Sequence, residues 1–195
     1  KTEECIAGKE LTKDTLLVTI ENLDDAINTP FPEYGPVISA DESVLMFTSR
    51  RDSSTGGKID PLIGQYYEDV YSSTFENGRW SKALNIGAPV NTNDHDGVIA
   101  LSHDGQRMFI YKGMLGDGNI CISSLKGNQW TEPDKLPKTI NTPYPFLESS
   151  ASFSPDERTI YFTSDKKDDN LGGRDIFMSK LDKDGNWGKA TNLGP

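Results

Sequence analysis

The sequence predicts an all-β fold of repeated antiparallel sheets, the kind that form the blades of a β-propeller. Short apolar runs typical of strands alternate with turn residues, and no stretch has a convincing helical period. Three landmarks also recur in the same order: an Asn that opens each unit, an Asp in a turn, and a Trp after a hairpin. These sets are Asn28, Asn91 and Asn141; Asp41, Asp104 and Asp156; and Trp80, Trp130 and Trp187.

The landmarks divide the chain into a lead-in and three units. The Asn residues lie 63 and 50 residues apart and the Trp residues 50 and 57, so several positions keep step and loops absorb the differences. We expect a lead-in with one strand over residues 1–27, a first blade with a long loop over 28–90, a second blade over 91–140 and a third over 141–195. About three full blades of four-stranded antiparallel sheet predict a partial propeller.

The first part of the chain contains four strand-like runs. The β-type run Thr15–Ile20 predicts a lone strand within residues 15–23, left from a preceding unit or leading into the first. Three strands of the first unit are predicted at 34–39, 44–49 and 69–75. Asn77-Gly78 then gives the strongest short signal for a hairpin.

The later units repeat this order. In the second unit we expect strands at 98–102, 107–111 and 120–125. In the third we expect strands at 159–165 and 172–179, before the turn that precedes Trp187. The Trp set is interpreted as anchors for packing between blades, and the Asn set as side chains that bond backbone groups between blades.

Charge and composition exclude two classes of partner. The net charge of −10 and pI near 4.7 repel phosphate backbones, so no nucleic-acid binding is expected. No run of about 18 apolar residues is present, so no membrane insertion is expected. Cys121 falls on an apolar strand and is expected to be a buried thiol, while a disulfide with Cys5 stays open.

Candidate catalytic groups look structural. Two His-Asp-Gly triplets begin at His95 and His103, but Asp104 fills a turn position that other units fill without a His. Asp69 and Asp175 could act as the paired carboxylates of a glycosidase, yet they recur at one repeat position. We therefore expect no catalytic residues and no enzyme, with a glycosidase-like propeller as the alternative.

Two acidic stretches resemble calcium loops. Residues 165–170 and 182–186 are dense in oxygen ligands, but counting from Asp182 the twelfth position is Leu193 instead of the Glu of an EF-hand. Turn chemistry explains these residues more simply. No cofactor is expected, and Ca²⁺ is the weaker alternative.

The loop from Arg50 to Tyr67 is the least repeat-like part of the chain. Loops on a rigid scaffold often bind partners. Arg50, Arg51, Tyr66 and Tyr67 are residue types enriched in binding hot spots. We predict protein-partner contacts at these four residues, with a tolerated surface insertion as the alternative.

Several motifs carry a resemblance to a known family. Ser154-Pro155-Asp156, Ile160–Ser164, a Gly-Gly-x-Asp strand from Gly172, and Asn192–Pro195 resemble the WD40-like β-propeller repeat of TolB type. The Asn-Thr-Pro between blades is similar to propellers of OmpA-family and PorE-like periplasmic proteins associated with type IX secretion. The second unit departs from the pattern because it lacks the Gly-Gly pair and has Asn119 instead of Asp.

The resemblance implies a location and a function. It implies half of a six-bladed ring in the periplasm, associated with the outer membrane and binding protein partners of the cell envelope. Glycan or peptidoglycan contact is implied only through domains outside this chain. We therefore expect a non-enzymatic scaffold, with a propeller that binds glycan or another small ligand and a structural spacer as alternatives.

Overall fold

The computed structural model describes residues 2–13, 17–113 and 118–194. Two helices come first, α1 (Thr2–Leu11) and α2 (Asp24–Ile27). The first unit then contains β1 (Glu33–Ile38), β2 (Val44–Ser49), β3 (Ile59–Asp60), β4 (Gln65–Tyr66), β5 (Asp69–Glu76), β6 (Arg79–Trp80) and β7 (Leu84–Asn85). The second contains β8 (His95–Leu101), β9 (Arg107–Gly113), β10 (Asn119–Lys126), β11 (Gln129–Trp130) and β12 (Asp134–Lys135). The third contains β13 (Glu148–Phe153), β14 (Thr159–Ser164), β15 (Asp175–Lys180) and β16 (Thr191–Asn192).

Three antiparallel sheets, each in chain order, contain all the described strands except β3 and β4, which pair with each other; this confirms the all-β prediction. The orders are β1-β2-β5-β6, β8-β9-β10-β11 and β13-β14-β15-β16. In the first two sheets, two short strands share the outer edge. Strands β6 and β7 both pair with β5, and β11 and β12 both pair with β10. The inner strands lie side by side, with β8 in contact with both β1 and β13. The division at residues 28, 91 and 141 stays a prediction, as does the half of a six-bladed ring.

The core lies between the sheets. Between the first two sheets, Met46 and Val70 pack with Met108 and Ile110, and Val90 completes the cluster. Between the second and third, a similar cluster joins Ile120, Leu136, Ile140, Ile160, Phe162, Phe177 and Ala190. Each predicted Trp packs at the side of one cluster: Trp80 beside the first sheet, Trp130 between the first two and Trp187 between the last two. Burial of the side chains in the two clusters that lie between sheets is therefore what holds one blade against the next, whereas Trp80 packs only within the first blade and its lead-in.

The repeated Asp residues fill one turn. Asp41 Oδ1 accepts hydrogen bonds from Ser39 Oγ at 2.6 Å and from Ser43 N at 3.1 Å. Asp104 and Asp156 make the same pair of bonds in their units. The hairpin at Asn77-Gly78 is also present, and both residues have the positive φ of a type I′ turn.

The lead-in differs from the prediction. Residues 17–23 form no strand, and residues 14–16 lie outside the described part of the chain. Residues 17–20 are exposed, and no strand in the described part of the chain pairs with them. Two helices occur where none was expected, and α1 buries none of its residues.

Cys121 is buried, as expected for an apolar strand position. Cys5 is exposed on α1, and both thiols are free. Burial raises the pKa of the Cys121 thiol to about 11. Among the described residues, no helix is long and apolar enough to cross a membrane.

Candidate partner-binding site

The long loop of the first blade folds into a small hairpin of its own. Strands β3 and β4 pair between β2 and β5, with Ile59 opposite Tyr66 and Asp60 opposite Gln65. Asp60 closes the turn, because its carbonyl oxygen accepts from Gly64 N at 2.9 Å and its Oδ1 accepts from Leu62 N at 2.8 Å. The segment predicted as a long loop therefore contains a pair of short strands.

The hairpin exposes three aliphatic side chains, two in its turn and one on β3. Ile59 is 55% exposed, Leu62 72% and Ile63 50%. We call these three residues the apolar tip. Exposed aliphatic side chains on an ordered element are candidates for a surface that protein partners cover.

A histidine ties the hairpin to the second blade through Asp60, next to the turn, and through Glu68, just after β4. His95 is the first residue of β8, and its Nε2 lies 3.0 Å from Asp60 Oδ2. Its Nδ1 lies 3.1 Å from Glu68 Oε2, and its ring centroid is 4.7 Å from that of Tyr67. We call Asp60, Glu68 and His95 the histidine clamp. It joins the hairpin, the start of β5 and the neighbouring blade through one imidazole ring.

The charges of the clamp support one another. Hydrogen bonding to Glu68, opposed by burial, raises the pKa of His95 above its ordinary value of 6.5. The backbone N–H of Leu62 and the contact with His95 lower the pKa of Asp60. Burial alone would raise the pKa of Glu68, but bonds from His95 and Tyr34 and the charge of Arg50 hold it below its ordinary value. The clamp therefore favours an imidazolium between two carboxylates.

Three of the four predicted contact residues meet at the base of the hairpin. Arg50 donates to Glu68 Oε1 at 2.8 Å and to the carbonyl oxygen of Tyr66 at 3.3 Å. Tyr66 packs edge-on against Phe31, with ring centroids 6.1 Å apart. Arg50, Tyr66 and Tyr67 are all partly buried. The structure thus uses them to hold the hairpin, and direct contact with a partner stays a prediction for them.

Arg51 does not lie on a contact surface. Its side chain is buried, its guanidinium carbon lies 4.7 Å from the centre of the Tyr71 ring, and its NH2 donates to the carbonyl oxygen of Ile27 at 2.6 Å. It also pairs with Glu33 at 3.1 Å. The prediction of Arg51 as a partner contact is wrong, because the neighbouring aromatic face draws the side chain inward.

Sequence reasoning missed the apolar tip and the clamp. The signal for the tip was present, since Leu62-Ile63 is an apolar pair between the turn formers Pro61 and Gly64. The clamp had no such signal. His95 lies 35 residues from Asp60, and only the packing of two blades brings them together.

A groove runs along the inner strands beside the clamp. It has a volume of about 480 Å³, and its polar lining includes Tyr34, Glu68, Tyr111 and Ser149. Tyr34 donates a short hydrogen bond to Glu68, so the groove and the histidine clamp share one carboxylate.

Metal-binding geometry is not seen in the described ranges. Within residues 2–13, 17–113 and 118–194, no group of three His, Cys, Asp or Glu side chains could hold an ion. In the stretch considered for calcium, Asp182 Oδ1 accepts from the backbone N–H groups of Asp184 and Asn186, both at 2.8 Å. That carboxylate therefore stabilises the turn that follows it.

Solved structures share this fold. TolB from Acinetobacter baumannii superposes with a TM-score of 0.55 at 12% identity, over 83% of this chain and 32% of that chain. A putative TolB from Agrobacterium tumefaciens gives 0.52 at 18% identity, over 86% and 51%. A looser likeness, with a TM-score of 0.46 at 18% identity over 75% and 38%, links the chain to the periplasmic gluconolactonase PpgL of Pseudomonas aeruginosa. No protein-family profile and no curated protein matches the sequence.

The two TolB likenesses show the fold, a TolB-type β-propeller. The chain spans about one third of the length of the first and about half of the second.

Proposed function

We propose that this chain is a non-enzymatic propeller scaffold that binds a protein partner through the apolar tip of its first-blade hairpin. The observation that carries this proposal is the exposure of Ile59, Leu62 and Ile63 on an element fixed at its base. Apolar side chains in water gain free energy when a partner covers them, about 25 cal/mol per Å² of apolar surface. A tip held in place loses little further conformational entropy on binding.

The histidine clamp supplies that order. Both ring nitrogens of His95 face carboxylates, and Arg50 bridges Glu68 to the β4 backbone. These contacts also support a structural role for His95, because both carboxylates that its ring contacts belong to the segment that carries the hairpin.

The setting of this scaffold belongs to the same proposal. The repeat resembles that of periplasmic propellers, and we extend this to a partner in an outer-membrane-associated assembly such as type IX secretion. The net charge of −10 would favour a basic partner surface around the apolar tip.

Site-specific photocrosslinking in cells tests the tip directly. A photoreactive amino acid replaces Leu62 in one variant and Leu84, a 68% exposed residue on β7, in a matched control. We expect one discrete crosslinked protein at position 62 and none at 84. Equal labelling at both positions would contradict the site, and no crosslink at either position would favour a structural spacer.

A double substitution then measures the contribution of the tip. Leu62→Asp with Ile63→Asp should weaken binding of the crosslinked partner at least about tenfold, since two apolar contacts are lost. The fold should survive because both side chains are exposed. Leu84→Asp is the control, and unchanged partner binding by the double variant would overturn the proposal.

The groove along the inner strands supports a second candidate function. Tyr34, Tyr111 and Ser149 combine aromatic faces with hydroxyl groups, a lining suited to a glycan or another small polar ligand. Calorimetric titration with cell-wall oligosaccharides tests this candidate. Binding that Ser149→Trp blocks and Leu84→Asp leaves intact would support it, and the absence of binding heat would count against it.

A further inference from the structure

The two junctions between neighbouring blades are built alike at one end. Asn91 Oδ1 accepts from Val70 N at 2.9 Å, and its Nδ2 donates to the carbonyl oxygen of Val70 at 2.8 Å. Asn141 makes the same two bonds with Ile120, at 2.8 and 2.9 Å. Asn28, the first of the predicted set, bonds within the lead-in instead. The other two asparagines thereby satisfy a backbone donor and acceptor on the third strand of the preceding blade.

The opposite end of the junction between the second and third blades is filled by side chains. Phe109 and Phe153 stack across it with ring centroids 3.7 Å apart, and Trp187 packs against Phe153 at 6.1 Å. Glu157, in the turn between β13 and β14, forms a short ion pair with Arg107 of the second blade. Aromatic rings and one ion pair therefore occupy this end of the junction.

Smaller side chains stand at the same positions between the first and second blades. Strand register and the spacing of the turns identify four replacements: Met46 for Phe109, Leu101 for Phe153, Val44 for Arg107 and Gly105 for Glu157. All four smaller residues line a cleft of about 530 Å³, and Trp130 lies in the same lining. We call this space the junction cleft. It is open where the next junction is filled.

Two carboxylates give the junction cleft its charge. Asp41 and Asp104 are exposed in its lining, which among the described residues includes no Lys or Arg and one His, His103. Each carboxylate uses Oδ1 for its own turn, and Oδ2 of neither accepts a hydrogen bond within the described chain. Hydrogen bonds from the Ser39 and Ser102 hydroxyl groups lower the pKa of Asp41 to about 2 and hold the pKa of Asp104 below its ordinary value. Both carboxylates are therefore charged at neutral pH.

We propose that the junction cleft binds a small organic cation that carries an aromatic ring. The ring would take the place that the Phe109 and Phe153 rings fill in the next junction and would pack against Trp130. The cation would meet the carboxylates of Asp41 and Asp104. A volume of about 530 Å³ lies within the roughly 300–1,000 Å³ of small-molecule pockets, which favours a small ligand over a protein segment.

The junction cleft is separate from the apolar tip. The turn that contains Asp41 precedes β2 and the hairpin of β3 and β4 follows it, so the two lie at opposite ends of that strand. A ligand in the cleft would leave the tip free for a protein partner. The two proposals therefore succeed or fail independently.

Titration with phenethylamine tests the proposal by two-dimensional NMR of the isotope-labelled protein. We expect the indole N–H of Trp130 and the amide of Gly105 to shift and to saturate below about 10 mM. Ethylamine lacks the ring and hydrocinnamate reverses the charge, so each should bind at least about tenfold more weakly. Equal binding of the three compounds, or no saturable shift with phenethylamine, would overturn the proposal.

A paired substitution locates the ligand by filling the cleft. Gly105→Glu with Val44→Arg transfers the ion pair of the next junction and leaves the net charge unchanged. The turn accepts Glu, since Glu42 and Glu157 have φ values of 58° and 55° where Gly105 has 66°. We expect no saturable shift with phenethylamine, while unchanged amide signals of β15 report an intact fold. Binding that survives this substitution would overturn the proposed site.

The charge of the cleft is tested by a milder variant. Asp104→Asn keeps a side-chain oxygen for the turn and should weaken phenethylamine binding about threefold. Asp156→Asn makes the same change in the third blade, outside the cleft, and should leave binding unchanged. Equal effects of the two substitutions would contradict the proposed contact with the cation.

Discussion

The loops that precede the third strand of the first and third blades share the same hydrogen bonds to an aspartate, but only the first carries a hairpin. In the first, Asp69 Oδ2 accepts from Thr55 N at 2.5 Å and from Asn85 Nδ2 at 2.5 Å. In the third, Asp175 Oδ2 accepts from Leu171 N at 2.5 Å and from Asn192 Nδ2 at 2.8 Å. The recurring aspartate therefore ties its loop to the end of its own blade.

A cation covers an aromatic ring at the same place in both loops. The guanidinium of Arg51 lies 4.7 Å from the centre of the Tyr71 ring, and Lys166 Nζ lies 4.1 Å from that of Phe177. The first loop differs in what it adds, namely the hairpin and its clamp to the second blade. Residues that recur between the loops thus maintain the blade, and the added residues are where a specific function is to be sought.

The largest difference in stability between the two loops should come from replacing Arg51 in one and Lys166 in the other. Arg51→Ala removes the cation paired with Glu33 and leaves the carbonyl oxygen of Ile27 without its buried donor, and we expect a loss of about 2–4 kcal/mol in the free energy of unfolding. Lys166→Ala removes mainly the contact with the ring, about 0.5–1 kcal/mol. Urea denaturation of both variants measures the difference. Equal losses in the free energy of unfolding would contradict this expectation and show that the two cations stabilise their loops to the same extent.

Replacing the two aspartates should give a smaller difference in stability, again with the larger loss in the first blade. Asp69 is fully buried and Asp175 is partly exposed, so water can replace the lost bonds only at Asp175. We expect Asp69→Ala to cost about 1–3 kcal/mol and Asp175→Ala about 1 kcal/mol or less. Thermal unfolding of the pair checks this order, and a larger loss for Asp175→Ala would contradict it.

The smallest effect concerns the clamp alone. The raised pKa of His95 means that its contribution is complete below about pH 6.5 and is lost as the pH rises through the folded-state pKa. The lowered pKa values of Asp60 and Glu68 mean that their contribution is complete above their ordinary values of 3.8 and 4.5 and is lost in acid. The hairpin should therefore be most protected between about pH 4.5 and 6.5.

Hydrogen exchange of the hairpin amides measures this window. His95→Gln should lower their protection about threefold at pH 6 and less at pH 9, where the imidazole is neutral. Amides of β15 in the third blade are the internal control and should not respond. Protection that does not depend on pH would show that the charge of His95 is irrelevant to the hairpin.

The strands and turns that recur in each unit were predicted well from the sequence. Strand β2 begins at Val44 and ends at Ser49 as expected, and the turn at Asn77-Gly78 formed, because local patterns of apolar and turn residues determine both. The strand expected within residues 15–23 is not formed over the described residues 17–23, because a strand needs a neighbour and none of the described strands pairs with them.

The site was predicted only in part. The loop was singled out by its broken spacing, but Arg51 is buried and the clamp joins residues from two blades. Contacts between distant residues leave no trace in local periodicity. The apolar tip could have been read from Leu62-Ile63, since an exposed loop rarely needs two adjacent aliphatic residues.

The asparagine at each junction puts the covalent repeat out of phase with the folded blade. Asn91 opens the second unit of the sequence, yet it completes the third strand of the first. A duplicated gene segment one unit long therefore encodes both halves of a junction wherever its ends fall. Blades can be gained or lost during evolution without the invention of a new contact, and variation can accumulate in single loops such as the one that carries the hairpin.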